Sequence, residues 1–348
     1  MNKKGISLIV LIITIVVIII LATAVIVTLA RTNVIENATE AVKDVGESYE
    51  KATINTIVTG SNATINGKKP STSNPVIPVG FKAVETDDAT WTDANSDGKP
   101  DGWNDGLVIA DDDGNEFVWV PVDGTTVPYA KNFTYPSFYG ATSSNTSDVP
   151  ASEMPTFPSG VDERTQITKY GGFYVGRYEA GKPSGVTNTS GKPVSKKDAT
   201  VWTGINYTDS NARAQELYSS DTNVKSGLLT GTSWDTVCKW ISNLGKSVVD
   251  SRTWGNHSDS ESPANVEGAG TKQVTGFSEY WKAKNIYDFA GNTWEWTNEE
   301  ACSTFRVRRG GNCDFSGGSS RYPESFRGSL TASNTNDLLG FRLMLYIM

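Results

Sequence analysis

An uncharged apolar run near the N-terminus is the strongest constraint on how this chain can fold. Ile6 to Ala30 are 25 residues without a charge, and 21 of them are hydrophobic. About 20 apolar residues suffice to cross the hydrocarbon core of a bilayer. Lys3 and Lys4 precede the run, and basic flanks stay on the cytoplasmic side. The run predicts a transmembrane helix in the cell membrane, in contact with lipid. It places the N-terminus inside and the remaining chain outside, at the cell surface.

The residues before the run add a processing motif. The order Lys3-Lys4-Gly5-Ile6-Ser7-Leu8 resembles a type IV prepilin leader. The resemblance implies that a peptidase cuts between Gly5 and Ile6. In that family the fifth mature residue is usually a glutamate, which pairs with a neighbouring subunit during assembly, whereas here it is Val10. A plain anchor and self-assembly through the N-terminal helix, as in a minor pilin or pseudopilin, stay open.

Composition divides the rest of the chain into three parts. Residues 31–59 carry apolar side chains at three- and four-residue spacing, which predicts a helical stalk. Residues 60–78 are rich in Ser, Thr, Asn, Pro and Gly and are expected to form a linker. Residues 79–348 hold short apolar runs between turn residues and every aromatic residue except Tyr49. This part is predicted to be one α+β domain in which strands outnumber helices.

Several elements of that domain can be placed from local pattern. Strands are expected over 107–110 and 117–122, joined by a hairpin turn at 111–115, and over 172–179. A helix is expected over 234–244, capped by Thr232 or Ser233.

Charge and residue counts exclude several function classes. The net charge of −8 and the pI near 4.9 argue against nucleic acid as a partner. Three cysteines, without metal-type spacing, indicate neither a disulfide framework nor a zinc site. His257 is the single histidine, and we expect it to be solvated in a polar loop. A Ser-His-Asp triad or a multi-histidine metal centre cannot be built reliably around it.

An acidic stretch resembles a calcium loop. Ten carboxylates lie between Glu85 and Asp113. Alternating oxygen-bearing side chains precede a glycine turn there, as in loops of the EF-hand and thrombospondin-repeat kind, and Ca²⁺ takes six to eight oxygen ligands. The candidate ligands are Asp93, Asn95, Asp97, Asp101 and Asp105. A solvated, Asx-rich turn is the alternative, because Asn104 stands where the bidentate glutamate is expected. No cofactor other than Ca²⁺ is expected.

The C-terminal third carries the most specific motifs. Asp288-Phe-Ala-Gly-Asn-Thr-Trp-Glu-Trp296 is followed by Arg309-Gly-Gly-Asn312 and by Gly340-Phe-Arg342. These residues resemble the motif series of formylglycine-generating (sulfatase-modifying factor) enzymes and their relatives. The resemblance implies a C-type lectin-like, sulfatase-modifying factor-like domain behind the N-terminal transmembrane helix and helical stalk. It also implies that this part of the chain is mainly scaffold.

The same residues predict internal contacts. Trp294 and Trp296 are expected on one face of a strand, with Glu295 on the other. Gly310 and Gly311 are expected at a bulge or a close backbone approach. We expect the four arginines of this region to form fixed pairs with nearby carboxylates; they are Arg308, Arg309, Arg327 and Arg342, and the carboxylates are Glu295, Asp288 and Glu299.

The catalytic members of the resembled family depend on metal-binding residues that this chain lacks. The resemblance implies that oxidation would need two copper-binding cysteines after the Gly-Gly pair. Cys313 has no second cysteine in the following fifteen residues. The iron-dependent relatives use three histidines, and this chain has one. We therefore expect no catalytic residues, and a divergent oxidase is the less favoured alternative.

Another branch of the resembled family has a segment that varies. Target proteins of diversity-generating retroelements often end in a variable segment between "RGG" and "GFR". Mutagenesis directed at adenines in that segment produces codons that encode every residue type except Lys, Glu, Gln, Met and Trp. These five types make up 54 of the 348 residues, or about four in 28, whereas residues 312–339 contain only Glu324. An ordinary Gly- and Ser-rich loop is the alternative.

The favoured hypothesis is a membrane-anchored, surface-displayed protein that binds an extracellular protein or glycan through residues 312–339. The mixture of Ser, Gly, Asn, Tyr and Phe in this segment is typical of antibody binding surfaces. The candidate ligand contacts are Asn312, Cys313, Asp314, Phe315, Ser319, Tyr322, Phe326, Ser329, Leu330, Asn334, Asn336, Asp337 and Leu338.

Overall fold

The computed structural model describes residues 75–122, 163–243 and 245–348, together with the backbone of two short strands at 134–136 and 142–144. The predictions for Gly5 and Ile6, the transmembrane helix, the stalk and most of the linker fall on residues 1–74, outside the described residues. In the part of the chain that is described, no helix is both long and apolar enough to cross a bilayer.

The described elements are mainly strands, with three α-helices and one 3₁₀ helix at Glu279–Trp281. The helices are α1 (Glu163–Tyr170), α2 (Tyr207–Glu216) and α3 (Gly231–Ser242). The strands are β1 (Phe81–Val84), β2 (Val108–Asp111), β3 (Glu116–Pro121), β4 (Thr134–Pro136), β5 (Thr142–Ser144), β6 (Gly172–Gly176), β7 (Val224–Leu228), β8 (Lys282–Ala283), β9 (Ile286–Tyr287), β10 (Trp294–Cys302), β11 (Phe305–Arg309), β12 (Gly328–Thr331), β13 (Leu339–Phe341) and β14 (Leu343–Ile347). The predicted α+β class is confirmed.

A six-stranded antiparallel sheet has the order β1-β2-β3-β6-β14-β7. The predicted hairpin between β2 and β3 is confirmed. At its turn the Asp111 carboxylate accepts a hydrogen bond from the Asn115 backbone N–H at 2.7 Å. Gly114 has a φ of 83°, a conformation that favours glycine.

This sheet separates two hydrophobic cores. Side chains alternate between the faces of a strand, so Phe117 and Trp119 of β3 enter one core and Val118 and Val120 enter the other. The last strand, β14, alternates in the same way. Both faces of the sheet are therefore buried, which explains the uninterrupted apolar runs of these strands.

Helix α3 packs in the second core through Trp234, Val237 and Ile241, which confirms the predicted apolar face. The predicted cap was wrong. Thr230 is the N-cap: its hydroxyl accepts from the Ser233 N–H at 3.0 Å, and the Ser233 hydroxyl accepts from the Thr230 N–H at 2.8 Å. This reciprocal pair is a capping box with serine in the third helical position.

A second sheet has the order β12-β11-β10-β13, with β10 and β13 parallel. Trp294 and Trp296 of β10 are both 1% exposed and belong to the first core, as predicted. Glu295, between them, pairs in register with Arg309 of β11 on one side and with Gly340 of β13 on the other. Strand β10 is thus flanked by the two motifs that the sequence places around residues 312–339.

One buried arginine joins the two sheets. Arg342 is the single residue between β13 and β14, which belong to different sheets. Its guanidinium forms an ion pair with Glu295 at 2.7 Å and donates to the carbonyls of Gly176 at 3.0 Å and Tyr287 at 2.9 Å. The predicted Arg342–Glu295 pair is confirmed. Asp288, named as another candidate partner, accepts from the Gly276 N–H at 2.7 Å.

We predict that Arg342→Gln lowers the free energy of unfolding by about 3–5 kcal/mol, because Glu295 would remain buried without its cation. The control is Lys197→Gln, which removes an exposed pair with Glu279 and should cost less than about 1 kcal/mol. Urea unfolding of both variants measures the difference. Equal losses would contradict the role given to the buried pair.

Candidate ligand-binding surface

The segment 312–339 follows β11 and ends at β13, the two strands that flank β10. It follows Gly310 and Gly311, whose φ angles of 92° and 75° favour glycine. A Cβ added at Gly311 would collide with the carbonyl oxygen of Tyr322. The predicted close backbone approach at this glycine pair is confirmed. Because β11 and β13 flank β10 on opposite sides, the segment is a long connection with both ends fixed.

The middle of the segment is fixed by charge. Arg309, which is fully buried, pairs with Asp235 at 2.8 Å and with Glu299 at 3.4 Å. Arg327 binds the same two carboxylates, with 3.0 Å to Glu299. The predicted pairs with Glu299 are confirmed, and Asp235 is a partner that sequence reasoning missed. Two cations between two anions are mutually compensated, which a buried charge requires.

Glu324 gives this middle part a second attachment. Its Oε1 accepts from the Trp234 indole N–H and the Cys238 thiol, each at 2.7 Å. The residue is 0% exposed, and burial raises the pKa of its carboxyl to about 8. The one residue of 312–339 outside the restricted codon set is therefore an interior residue that contacts helix α3.

The predicted contact residues divide by burial. Three of them lie inside the domain: Asn312 is 2% exposed, Cys313 is 0% and Phe326 is 9%. Their side chains do not form part of the surface. The others are exposed or half-buried and form two lobes on either side of the fixed middle. The first lobe holds Asp314, Phe315, Ser319 and Tyr322; the second holds Ser329, Leu330, Asn334, Asn336, Asp337 and Leu338.

A ladder of aromatic rings connects the first lobe to the core. Phe315 is 45% exposed, and its ring centroid lies 5.0 Å from that of Tyr322. Tyr322 meets Phe326 at 4.8 Å and Trp294 at 5.8 Å, both edge to face. This geometry is favourable for aromatic pairs. An exposed ring is thus supported by successively more buried ones.

The first lobe is also held by the loop around His257. The Asp259 carboxylate accepts from the Ser316 hydroxyl at 2.6 Å and the Gly317 N–H at 2.9 Å. The prediction that His257 is solvated was wrong, because it is 1% exposed. Its ring packs against Gly317, where an added Cβ would collide with it, and its Nε2 lies 2.8 Å from the Ser251 hydroxyl. Histidine and aspartate are both common in surface loops. The sequence pattern alone therefore did not reveal that His257 and Asp259 contact the first lobe.

The candidate calcium loop uses its oxygens internally. Asp93 and Asn95 accept from the Asp97 N–H at 3.1 and 3.0 Å, and Asp101 accepts from the Thr92 hydroxyl at 3.0 Å. Asp105 pairs with Lys284. Over the described ranges, no three His, Cys, Asp or Glu side chains are grouped so that they could hold a metal ion. Calcium binding at this loop stays a prediction.

Comparison with known proteins gives the family. The model of the sulfatase-modifying factor enzyme 1-like domain matches residues 171–347, and the chain belongs to this family. No curated protein matches the sequence.

Three solved structures are similar at low identity. CarF is 15% identical over 51% of this chain and 87% of its own, with a TM-score of 0.35. PvdO from Pseudomonas aeruginosa is 14% identical over 68% and 96%, with a TM-score of 0.37. Treponema denticola variable protein 1 is 12% identical over 76% and 98%, with a TM-score of 0.30.

We predict a large loss of stability from truncation of one phenylalanine of the segment and a small one from truncation of another. Phe326→Ala should lower the free energy of unfolding by about 3–5 kcal/mol, because it opens a cavity beside Trp294. Phe315→Ala, the matched control, should change it by less than about 1 kcal/mol because the ring is at the surface. Thermal unfolding measures both. A large loss from Phe315→Ala would contradict the division between buried and exposed positions.

We predict that His257 makes the protein less stable in acid. Burial lowers the pKa of this imidazole to about 4, whereas the unfolded chain takes up the proton near pH 6.5. The stabilisation is complete above that value and is lost as pH falls towards 4. Between pH 7.5 and 4.5, the wild type should lose about 2–3 kcal/mol more than His257→Gln does.

Urea unfolding across this pH range measures the difference. The raised pKa of Glu324 acts in the opposite direction, because the folded state holds that proton more tightly, but Glu324 is present in both proteins. Parallel stability curves for wild type and variant would show that His257 does not control the acid response.

Proposed function

We propose that this protein is a ligand-binding protein of the cell surface, anchored in the membrane by residues 6–30, whose segment 312–339 forms a replaceable binding surface. The observation that carries the proposal is the way this segment is held. The flanking residues Arg309 and Gly340 both pair with Glu295 of β10, and the middle is bound by Asp235, Glu299 and helix α3. Exposed positions between these attachments, such as Phe315 and Ser319, can change without disturbing the core.

The exposed positions support a role in recognition. Phe315 and Tyr322 offer aromatic surface, and Ser319, Asn334 and Asn336 offer adaptable hydrogen-bonding groups. Aromatic anchors among small polar residues are typical of surfaces that bind many partners. The restricted residue set of 312–339, with its one exception inside the protein, agrees with a surface that varies while its attachments are kept.

The remaining parts of the proposal come from the sequence. The uncharged run of 25 residues and the lysines before it support a single membrane-spanning helix with the domain outside. The ligand would be an extracellular protein or glycan, and lipid would contact only the N-terminal helix. Assembly through that helix, as in a minor pilin, is the alternative hypothesis.

Cys313 gives no support to an oxidase of the copper type. A copper ion held by two thiolates needs a second cysteine, and residues 314–328 contain none. Burial also raises the pKa of the Cys313 thiol to about 12, which keeps it protonated near neutral pH, and the thiolate is the metal-binding form. The donor set at this position does not fit the metal of the catalytic relatives.

We predict that natural variation in this protein concentrates between residues 312 and 339. Sequencing of the gene in independent isolates should find substitutions at the exposed positions of both lobes. Glu324 and Arg327 should stay unchanged, because they contact the interior. The matched control is the exposed loop 93–101, which lies outside the Arg-Gly-Gly and Gly-Phe-Arg motifs.

The neighbouring DNA completes this test. A near-copy of codons 309–342 beside a reverse-transcriptase gene is the expected finding. Substitutions spread evenly over both loops, without such a copy, would contradict diversification.

A further inference from the structure

Arg308 differs from the arginines that hold the scaffold. It lies on β11 with its backbone opposite Trp296 and Gly328. Its guanidinium carbon is 4.3 Å from the centroid of the Trp294 ring. The side chain is half-buried, and its buried Nε has no hydrogen-bond partner in the part of the chain that the structure describes. No carboxylate of the described residues is within ion-pair distance of it, although the sequence predicted one.

Arg306, two residues earlier on the same strand, shows the contrast. Its guanidinium also stands over a ring, that of Tyr207, at 4.9 Å. It has Glu300 at 3.7 Å and donates to the carbonyls of Cys302 and Phe305. The two arginines share strand and face, but among the described residues only Arg306 has a carboxylate partner.

The position of Arg308 links it to the first lobe. Trp294, on which it stands, contacts Tyr322, and Tyr322 contacts the exposed Phe315. A Cβ added at Gly328 would lie 3.1 Å from the Arg308 Nε, so the glycine leaves room for the guanidinium. Burial lowers the pKa of this guanidinium to about 10, and an anion close to it would offset that cost. A cation–π contact alone compensates a half-buried charge only in part.

We propose that Arg308, supported by Trp294, is a constant anchor that binds a carboxylate of a protein ligand, while Phe315 and Tyr322 contact the surface around that carboxylate. The inference rests on the proposed function and specifies which chemical group of the ligand is bound, namely a carboxylate. Arg308 and Trp294 lie outside 312–339, so they stay in place whatever residues the segment carries. Different ligands of the varied surface would then share one acidic side chain.

The surroundings favour a single carboxylate over a polyanion. The planar guanidinium fork matches a carboxylate in geometry. Asp314 and Asp337 are exposed on the same segment, and the whole chain carries a net charge of −8. A highly charged glycan would be repelled by these groups more strongly than one aspartate or glutamate within an apolar contact. Arginine, tryptophan and tyrosine are also the residues enriched at the energetic centres of protein interfaces.

The test uses the full-length chain in detergent, with ¹⁵N-labelled arginine. The Nε–H resonance of Arg308 is assigned by its absence in Arg308→Lys. The probe is N-acetyl-glutamate methylamide, titrated to tens of millimolar, and the neutral control is N-acetyl-glutamine methylamide. We expect a saturable shift of the Arg308 resonance with the glutamate probe only. Arg306→Gln should keep this binding, and Arg308→Gln should weaken it by about tenfold or more.

Three results would overturn the inference. They are no shift with the glutamate probe, an equal shift with its neutral analogue, or tighter binding of galacturonate, which would favour an acidic glycan. The wild-type titration decides these points even if Arg308→Gln does not fold. Failure here leaves the proposed function intact if variation is still concentrated in 312–339, whereas evenly spread variation would count against the proposed function by itself.

Discussion

The ion pair between Arg342 and Glu295 is the contact on which the arrangement of this domain depends. Arg342 occupies the one position between β13 and β14, where the chain passes from the four-stranded to the six-stranded sheet. Its charge is neutralised by Glu295 of β10, and its other donors bind carbonyls of Gly176 and Tyr287. The net stabilisation of the fold by a buried ion pair is small, but any arrangement of the strands that separates the two charges carries a large energetic penalty. The ion pair therefore fixes which strands lie together, and Glu295 pairs with Arg309 and Gly340, which flank the segment 312–339.

Much of this scaffold could be predicted from the sequence, because its local patterns agree with the final packing. The β2–β3 hairpin has turn residues between two apolar runs, and α3 has apolar residues at helical spacing. Trp294 and Trp296 alternate with Glu295, as a strand with two different faces requires. The family motifs added the kind of domain, a sulfatase-modifying factor-like one, which local pattern does not contain.

The predictions that were wrong or incomplete share a physical cause, which is contact between residues far apart in the chain. The partners of Arg309 and Arg327 include Asp235, which is more than 70 residues away in the chain. Neither spacing nor composition relates such residues before the fold is known. His257 was misplaced for the same reason: its polar neighbours suggested a solvated loop, but the segment 312–339 covers it. In the candidate site, too many positions were predicted to be exposed. Phe326 and Cys313 are of residue types that also occur in binding surfaces, but their side chains face inward.

The distribution of these inward-facing residues would let the segment 312–339 vary, as proposed, while the core stays stable. A long connection fixed only at its ends would have to be ordered by its own side chains, and each change would alter its conformation. Here Arg327 and Glu324 attach the middle to Asp235, Glu299, Trp234 and Cys238. The first lobe is therefore a shorter loop with two fixed ends, and the second lobe begins on strand β12, which pairs with β11. Loop closure costs less entropy for shorter loops. The first lobe gains further support from Asp259 and from the His257 ring, neither of which belongs to the segment. The positions that must not change are therefore those that enter the interior, and the residue that departs from the restricted codon set, Glu324, is one of them.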